Sequence, residues 1–423
     1  MARADQGAEA RVLAELAKID VVAICADLIK VQSHREHPGH ETPCAQHIKA
    51  LLERDGIEAH LQKVRDDRCN VVATLKGSGS GPVLMYNGHT DTVPPGEMPD
   101  AFSPRVIDGK LTGRGSVDMK GGIAGQLAAM IALKRAGIRL KGDLVFTGVI
   151  AEEDSTSLGS LHVIAHGPKP DMVVVSEPTA MATVTAHKGF DYYRIDIEGR
   201  ACHSSKPYAG ISAIYKAARI VNTIEKDFIA RSCVRTHPLL GPASFNVAAV
   251  LGYSNSEAVT ALRRAPGDKP AGAVVPDICT IYMDRRRIPG ERLEDVMADF
   301  DRLLLDPLRE ADPDLKAHAG FTPACPELPS HPPLDTSPEH PLVSECVRIS
   351  SEVTGLEAKA KGVPFWSDAA LFNDHAKIPA IVFGPGDVAV AHSNHEFVPV
   401  DDLIKCARVF ARLGNALLEG QPA

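Results

Sequence analysis

Four residues suited to a buried strand, Val83-Leu84-Met85-Tyr86, run directly into Asn87-Gly88-His89-Thr90-Asp91-Thr92-Val93-Pro94. A short apolar run bounded by turn signals reads as a core strand. In an open α/β sheet, chemistry collects in the crevice beyond the carboxyl ends of the strands. A His-x-Asp there offers an imidazole that can bind a metal through one nitrogen, with a carboxylate nearby to steady it. For one histidine alone, a hydrogen-bonded polar residue is the plainer reading. The chain, however, repeats the pattern. Leu144 to Ile150 ends in Ala151-Glu152-Glu153-Asp154, and Met172 to Val175 ends in Ser176-Glu177-Pro178. Ala380 to Phe383 ends in Gly384-Pro385-Gly386, shortly before Ala391-His392-Ser393-Asn394-His395-Glu396. Asp118 stands at the mouth of a helix rich in small residues, Ile123 to Ala136, inside the Gly113 to Gly122 turn. The glycine spacing of that turn fits neither the P-loop nor the dinucleotide fingerprint. Acidic residues decorate many exposed strand ends, but four strands and a turn that each present a carboxylate or an imidazole point to a shared site.

A chain of 423 residues exceeds what one hydrophobic core serves, so two domains are expected. With 46 basic against 54 acidic residues and a formal charge of −8, a nucleic-acid binder is disfavoured. No segment has the apolar length to span a bilayer, and Met1 to Gln6 lacks a secretory signal's basic and apolar regions. The nine cysteines are scattered without any Cys-x-x-Cys. That is the usage of reduced thiols, and a cytoplasmic enzyme is the expectation.

Apolar spacing predicts a helix over Arg11 to Val31 with a break near Asp20, and a second over Gln46 to Arg54. The intervening Ser33 to His47 loop holds His34, His37, His40 and His47 without a recurring ligand spacing, which suits a polar surface loop or the lip of a substrate pocket. From Lys188 to Phe321 the texture changes. Tyr192 to Glu198 alternates like a half-exposed strand, Ser244 to Leu251 and Ile278 to Asp284 read as further strands, and Ile211 to Lys226 and Glu291 to Leu308 as helices. This α+β insert, residues 188–322, splits a larger domain made of 1–187 and 323–423. Arg264 to Ala273 reads as a loop and Pro323 to Pro341 as the linker back.

His89, Asp118, Glu153, Glu177 and His392 together form a nitrogen and oxygen donor set without thiols, suited to Zn²⁺, Mn²⁺ or Co²⁺. Five ligands exceed one tetrahedral ion and suit two, if one carboxylate bridges. Two ions about 3.5–4 Å apart clamp a shared water and polarise a carbonyl. Glu152, beside a ligand yet not claimed as one, is free to take a proton from that water.

The motifs Gly88 to Pro94, Gly113 to Gly122, Glu152-Glu153, Ser176-Glu177-Pro178 and Ala391-His392 resemble those of the zinc-dependent deacylase and exopeptidase family. That family includes acetylornithine deacetylase, succinyl-diaminopimelate desuccinylase, aminoacylase and carboxypeptidase G. The resemblance covers nearly the whole chain in order and spacing. It implies an α/β fold, with a di-metal aminopeptidase-like catalytic domain (a mixed sheet flanked by helices) and an inserted α+β lid and dimerisation domain. Asp118 would bridge two metals and be followed by a cis peptide to Met119. His89 and Glu177 would complete one metal site, Glu153 and His392 the other. Glu152 would be the general base and Asp91 would steady His89. His392 is preferred to His395, because the family's ligand follows a small residue and precedes a Glu by four positions. In the insert, Gly199-Arg200-Ala201-Cys202-His203-Ser204-Ser205 matches the segment whose histidine steadies the developing oxyanion, making His203 the candidate. Asp284-Arg285-Arg286-Arg287-Ile288-Pro289-Gly290 aligns Arg286 with the arginine that holds a substrate carboxylate, although its neighbouring arginines leave open which one faces the substrate. Gly384 and Asn246 are further expected substrate contacts. Many relatives carry Asn where this chain has Ala273, three residues before Pro276, so the substrate pocket is expected to be rebuilt.

The implied protein is a homodimer through the insert, with a small-molecule substrate, no nucleic-acid or membrane partner, and two divalent ions, zinc first and manganese or cobalt the alternatives. It hydrolyses a C–N bond, foremost the amide of an N-acyl amino acid or short peptide. The rival readings are a hydrolytic deaminase acting on a non-peptide amine, such as one on an activated ring, and a non-catalytic binding protein on the same scaffold.

Overall fold

The computed structural model describes residues 6–254 and 273–422, so the Arg264 to Ala273 loop lies, apart from Ala273, outside the described residues. The chain forms two compact units, 1–187 with 334–423, and 188–333. The return to the first unit thus comes at Leu334 rather than at 323. The cause is local pairing. The backbone N–H of Phe190 donates to His331 O at 3.1 Å, and Ser330 Oγ donates to Asp191 at 2.5 Å, which ties the expected linker to the second unit's sheet.

The first unit is built on one mixed sheet. Its path runs Glu58–Arg65, Arg68–Leu75, Leu144–Val149, Leu84–His89, Met172–Val175, Ala380–Val382, Val184–His187 and Leu334–Asp335. The four strands from Leu144–Val149 to Ala380–Val382 are mutually parallel, and the flanking pairs are antiparallel. All four are buried along their whole length on both faces, which explains their largely apolar sequences. The helix Gly121–Arg135 is buried from Gly121 to Leu133 and packs against Val400–Leu417, Gln6–Leu16 and Val21–Lys30. Its small residues permit that closeness: a Cβ on Gly122 would lie 2.2 Å from Ser176 O.

The expected break at Asp20 is a helix boundary, with the Asp20 carboxylate accepting from Ala23 N–H at 2.9 Å as an N-cap. The next helix starts earlier than expected, at Thr42, with Pro43 in its first turn. His47 is therefore helical rather than part of the loop. His34, expected in a surface loop, is buried and stacked on Phe102, with ring centroids 5.6 Å apart. It also forms a β-bridge with Thr92, just beyond the His89 strand. Glu58–Arg65 is a strand that the sequence reading did not anticipate. It lies at the sheet edge and is mostly solvated, so its polar residues hide the period. No helix among the described residues is long and apolar enough to cross a membrane.

The second unit is a four-stranded antiparallel sheet in the order Ser244–Tyr253, Ile278–Arg287, Gly189–Glu198, Lys316–Thr322. Alternate residues Tyr193, Ile195, Ile197 and Cys279, Ile281, Met283 face a core shared with Ile220, Phe228, Phe300 and Leu304 of its helices. The Lys316–Thr322 strand was not anticipated separately.

Candidate metal centre

Parallel strands deliver their carboxyl ends to one edge of the sheet. His89 closes the strand Leu84–His89, Glu152 and Glu153 follow Leu144–Val149, and Glu177 follows Met172–Val175. His392 comes from the segment after Ala380–Val382. Asp118 is presented by the turn Ser116–Lys120, with a cis peptide to Met119, immediately before the helix Gly121–Arg135.

The side chains converge. His89 Nε2 lies 3.0 Å from Asp118 Oδ1 and 3.6 Å from Glu177 Oε1. His392 Nε2 lies 3.2 Å from Asp118 Oδ2 and 3.0 Å from Glu153 Oε2. Each carboxylate oxygen of Asp118 therefore faces a different imidazole. His89 Nδ1 is 3.0 Å from Asp91 O, a pure acceptor, so this nitrogen carries the hydrogen and Nε2 is left as the ligand nitrogen. The Asp91 carboxylate is farther from that ring, 3.6 Å from Nδ1. It accepts instead from Glu152 N–H at 3.3 Å and Glu153 N–H at 2.9 Å, fixing the turn that carries both glutamates.

That turn is conformationally demanding, since Ala151, Ser155 and Ser157 all have left-handed backbones. Asn70 braces it, accepting from Ile150 N–H and donating to Gly159 O. Ser160 Oγ donates to the buried Asp368 carboxylate at 2.6 Å just beyond it. Outside, Arg68 pairs with buried Glu41 and lies 3.7 Å from Asp154.

Electrostatically the centre has an excess of buried carboxylate. Burial pushes Glu152 well above the usual carboxyl range and Glu177 up to about 8. Burial and the Asp118 charge raise Glu153. Burial opposes ionisation of Asp118 too, but hydrogen bonds from His392 and His89 hold it below the usual range. Hydrogen bonds to Asp118 and Glu153 lift His392 to about 10. For His89, burial is outweighed by the charge of Glu177 and bonds to Asp118 and Asp91. Four carboxylates facing two imidazoles form a cage that cations would neutralise. Glu153 Oε1 is buried without a hydrogen-bond partner, a donor left over for a ligand. The candidate ligand atoms are nitrogen and oxygen, as borderline or hard divalent ions require.

Among the described residues, the groups of three or more side chains spaced to hold a metal are His89 with Glu152 and Glu177, and His89 with Asp118 and Glu153. The histidines of the Ser33 to His47 loop form no such group. His395 is exposed and has no contact with the acidic cluster, whereas His392 meets two of its members. Gly384 has a packing role: a Cβ there would lie 2.4 Å from the carbonyl oxygens of Ser176 and Glu177, so only glycine lets the segments approach.

His203, Asn246 and Arg286 belong to the second unit. His203 is exposed, and its Nδ1 accepts from Ser205 N–H at 3.1 Å, which leaves the hydrogen on Nε2. Arg285 is buried, donating to Glu291 at 2.6 Å and Ser232 O at 3.0 Å. Arg287 is buried against Asp191 and donates to Glu291 O at 2.9 Å. Arg286 alone faces outward, 40% exposed, with its guanidinium 5.0 Å from the centre of the Phe190 ring. Asn246 Nδ2 donates to Asp284 at 3.0 Å on the same outer face.

Sequence reasoning used Glu396 only as a marker for His392. In the structure it anchors the Asp118 turn. Arg114 Nη1 donates to Glu396 Oε2 at 2.6 Å, and Glu396 Oε1 accepts from Val117 N–H at 3.1 Å and Asp118 N–H at 3.3 Å. Arg114 and Glu396 are only 2% and 1% exposed, so Glu396→Ala would strand a buried guanidinium. The expected cost is about 3–5 kcal/mol of unfolding free energy, read from denaturant curves. Lys120 was missed as well; its buried ammonium donates to Leu28 O at 3.0 Å and Val31 O at 2.7 Å, joining the turn to the preceding helix.

The fold, a cage that could hold metal and a family match define a hydrolase of amide C–N bonds. Residues 85–416 match the model of peptidase family M20/M25/M40, and the chain belongs to that family. It is 30% identical over 381 residues to an acetylornithine deacetylase of Myxococcus xanthus, covering 88% of this chain and 90% of that one. It is 27% identical over 427 residues to a probable succinyl-diaminopimelate desuccinylase of Staphylococcus epidermidis, covering 96% and 99%. A crystal structure of a dinuclear metal-binding M20 peptidase from Bacillus subtilis has the same fold, with a TM-score of 0.67 at 17% identity over 96% of this chain and 99% of that one.

Proposed function

We propose that the chain is a two-metal deacylase or exopeptidase whose substrate is a small amide bearing a free carboxylate, foremost an N-acyl amino acid or short peptide. The observation that carries this reading is Asp118, with one carboxylate oxygen at 3.0 Å from His89 and the other at 3.2 Å from His392. His89 and Glu177 would hold one ion, Glu153 and His392 the other, with Asp118 between them. Two such ions, when bound, activate a water and polarise the scissile carbonyl. Zinc is the first assignment for this donor set, with manganese and cobalt the alternatives.

The chain's own residues do the rest. Asp91 sets the His89 tautomer through its carbonyl and fixes the glutamate turn through its carboxylate. Glu152, raised in proton affinity by burial, takes the proton of the attacking water and returns it to the departing nitrogen. His203, with its hydrogen on Nε2, is suited to donate to the developing oxyanion. Arg286, the outward-facing member of its arginine run, with Nε 3.6 Å from Asp284, would grip the substrate carboxylate as a planar fork. Its replacement by Ala should remove a charged hydrogen bond of about 1.5–3 kcal/mol. The expected loss in kcat/KM is roughly ten- to a hundredfold, confined to substrates with a free carboxylate.

The edge strand Ser244–Tyr253, with Val250 and Leu251 exposed, and Ile214 and Tyr215 on the helix Ala213–Thr223 support a homodimer through the second unit. All nine cysteines are free, which suits a reducing, cytoplasmic setting.

The test is a panel of N-acyl amino acids, dipeptides and aryl amines, assayed for released acyl group and for ammonia. Acyl release that vanishes after chelator dialysis and returns with added zinc, manganese or cobalt is the expected result. Ammonia release without acyl release would favour the deaminase reading, for which Ala273 is the sequence argument. Full metal content with no turnover on any substrate would favour a binding protein.

A further inference from the structure

The helix Leu158–His166 carries two histidines that the proposed reaction does not use. His162 and His166 stand at i,i+4, the spacing that makes side chains neighbours on a helix surface. Their ring centroids are 4.8 Å apart, with the planes inclined at 55°. His162 is half-buried and His166 exposed, and neither ring has a hydrogen-bond partner among the described residues. Burial, and then the neighbouring His166, hold the His162 imidazole below its ordinary pKa, which keeps its lone pair available near neutral pH.

Paired imidazoles one helical turn apart form a metal-binding spacing. As donors they suit copper, nickel and zinc, with copper(II) bound most tightly in the divalent series. We propose that His162 and His166 form a peripheral chelate for one borderline divalent transition ion, outside the catalytic centre. The helix is nine residues long and begins directly after the turn that carries Glu152 and Glu153. Among the described residues, both groups of three or more potential ligands lie in the catalytic centre, so this site supplies two protein nitrogens. Its other positions are open to water or to a donor atom on another molecule. An ion there cross-links successive turns of the helix, and the chain would hold one more ion than its hydrolytic chemistry uses. The inference does not depend on the substrate assigned above.

Its test uses the full-length, untagged chain loaded with zinc and titrated with copper(II). Bound copper is counted after gel filtration, and its electron paramagnetic resonance spectrum reads coupling to ligand nitrogens. His162→Gln, His166→Gln and the double variant are measured in parallel, with melting curves and amide hydrolysis without copper to establish that each is folded and active. The native chain is expected to hold one copper equivalent more than the double variant, with nitrogen coupling, and each single variant to lose that equivalent. Equal copper stoichiometry in the native chain and the double variant overturns the proposal. So does an extra equivalent that survives either single substitution or shows no nitrogen coupling.

Discussion

Replacing Glu152 with Gln is expected to lower kcat by about 10²- to 10⁴-fold, the usual range for losing a positioned acid–base group. Gln keeps the length and shape of the side chain but cannot accept the water's proton or carry it to the leaving nitrogen. The loss should fall equally on kcat and kcat/KM, because the missing interaction belongs to the transition state. Metal content, measured by elemental analysis, should stay at the native value, since the Asp91 contacts that fix this turn go to the backbone N–H groups of residues 152 and 153 and not to the Glu152 side chain. A Glu152→Gln enzyme within tenfold of native would remove Glu152 from the role of base. A Glu152→Gln chain depleted of metal would instead make it a ligand, consistent with its position in a group with His89 and Glu177.

Asp118→Asn is expected to fail in a different way. The native carboxylate offers an oxygen to the neighbourhood of each imidazole, whereas the amide offers one oxygen and an NH₂ group that cannot ligate. It also removes the negative charge that the two imidazoles share. Both ions should be weakened together, and activity should fall by more than the roughly 10²- to 10³-fold seen on removing a single electrostatic group. The discriminating measurement is metal stoichiometry alongside activity: Asp118→Asn should lose both, Glu152→Gln activity alone. An Asp118→Asn chain that retained two ions at native affinity would end the bridging assignment.

The strands that carry the candidate site were legible because they are buried on both faces. Leu84 to Tyr86 and Met172 to Val175 are unbroken apolar runs, and a polar residue at the end of such a run stands out. Glu58–Arg65 was not, because an edge strand needs no apolar face on its solvated side. The arginine run shows a subtler limit. Alternation along Ile278–Arg287 places Arg285 and Arg287 on the inner face with Cys279, Ile281 and Met283. Yet a buried arginine is rare enough that the period alone does not compel it. Glu291 and Asp191, the acids that make burial tolerable, become identifiable only once the chain has folded. Glu396 is the extreme case, meeting an arginine 282 positions earlier in the sequence. Spacing carries no signal at that range.

The grip of Glu396 on the Asp118 turn also makes the cage depend on two distant stretches of the chain. His89, Asp118, both glutamates and Glu177 come from one stretch of the chain, but the residue that braces the turn and the second imidazole come from a segment more than two hundred positions after Glu177. Cleavage of the chain anywhere between them that let the two stretches part would take away the second imidazole and leave Asp118 unanchored.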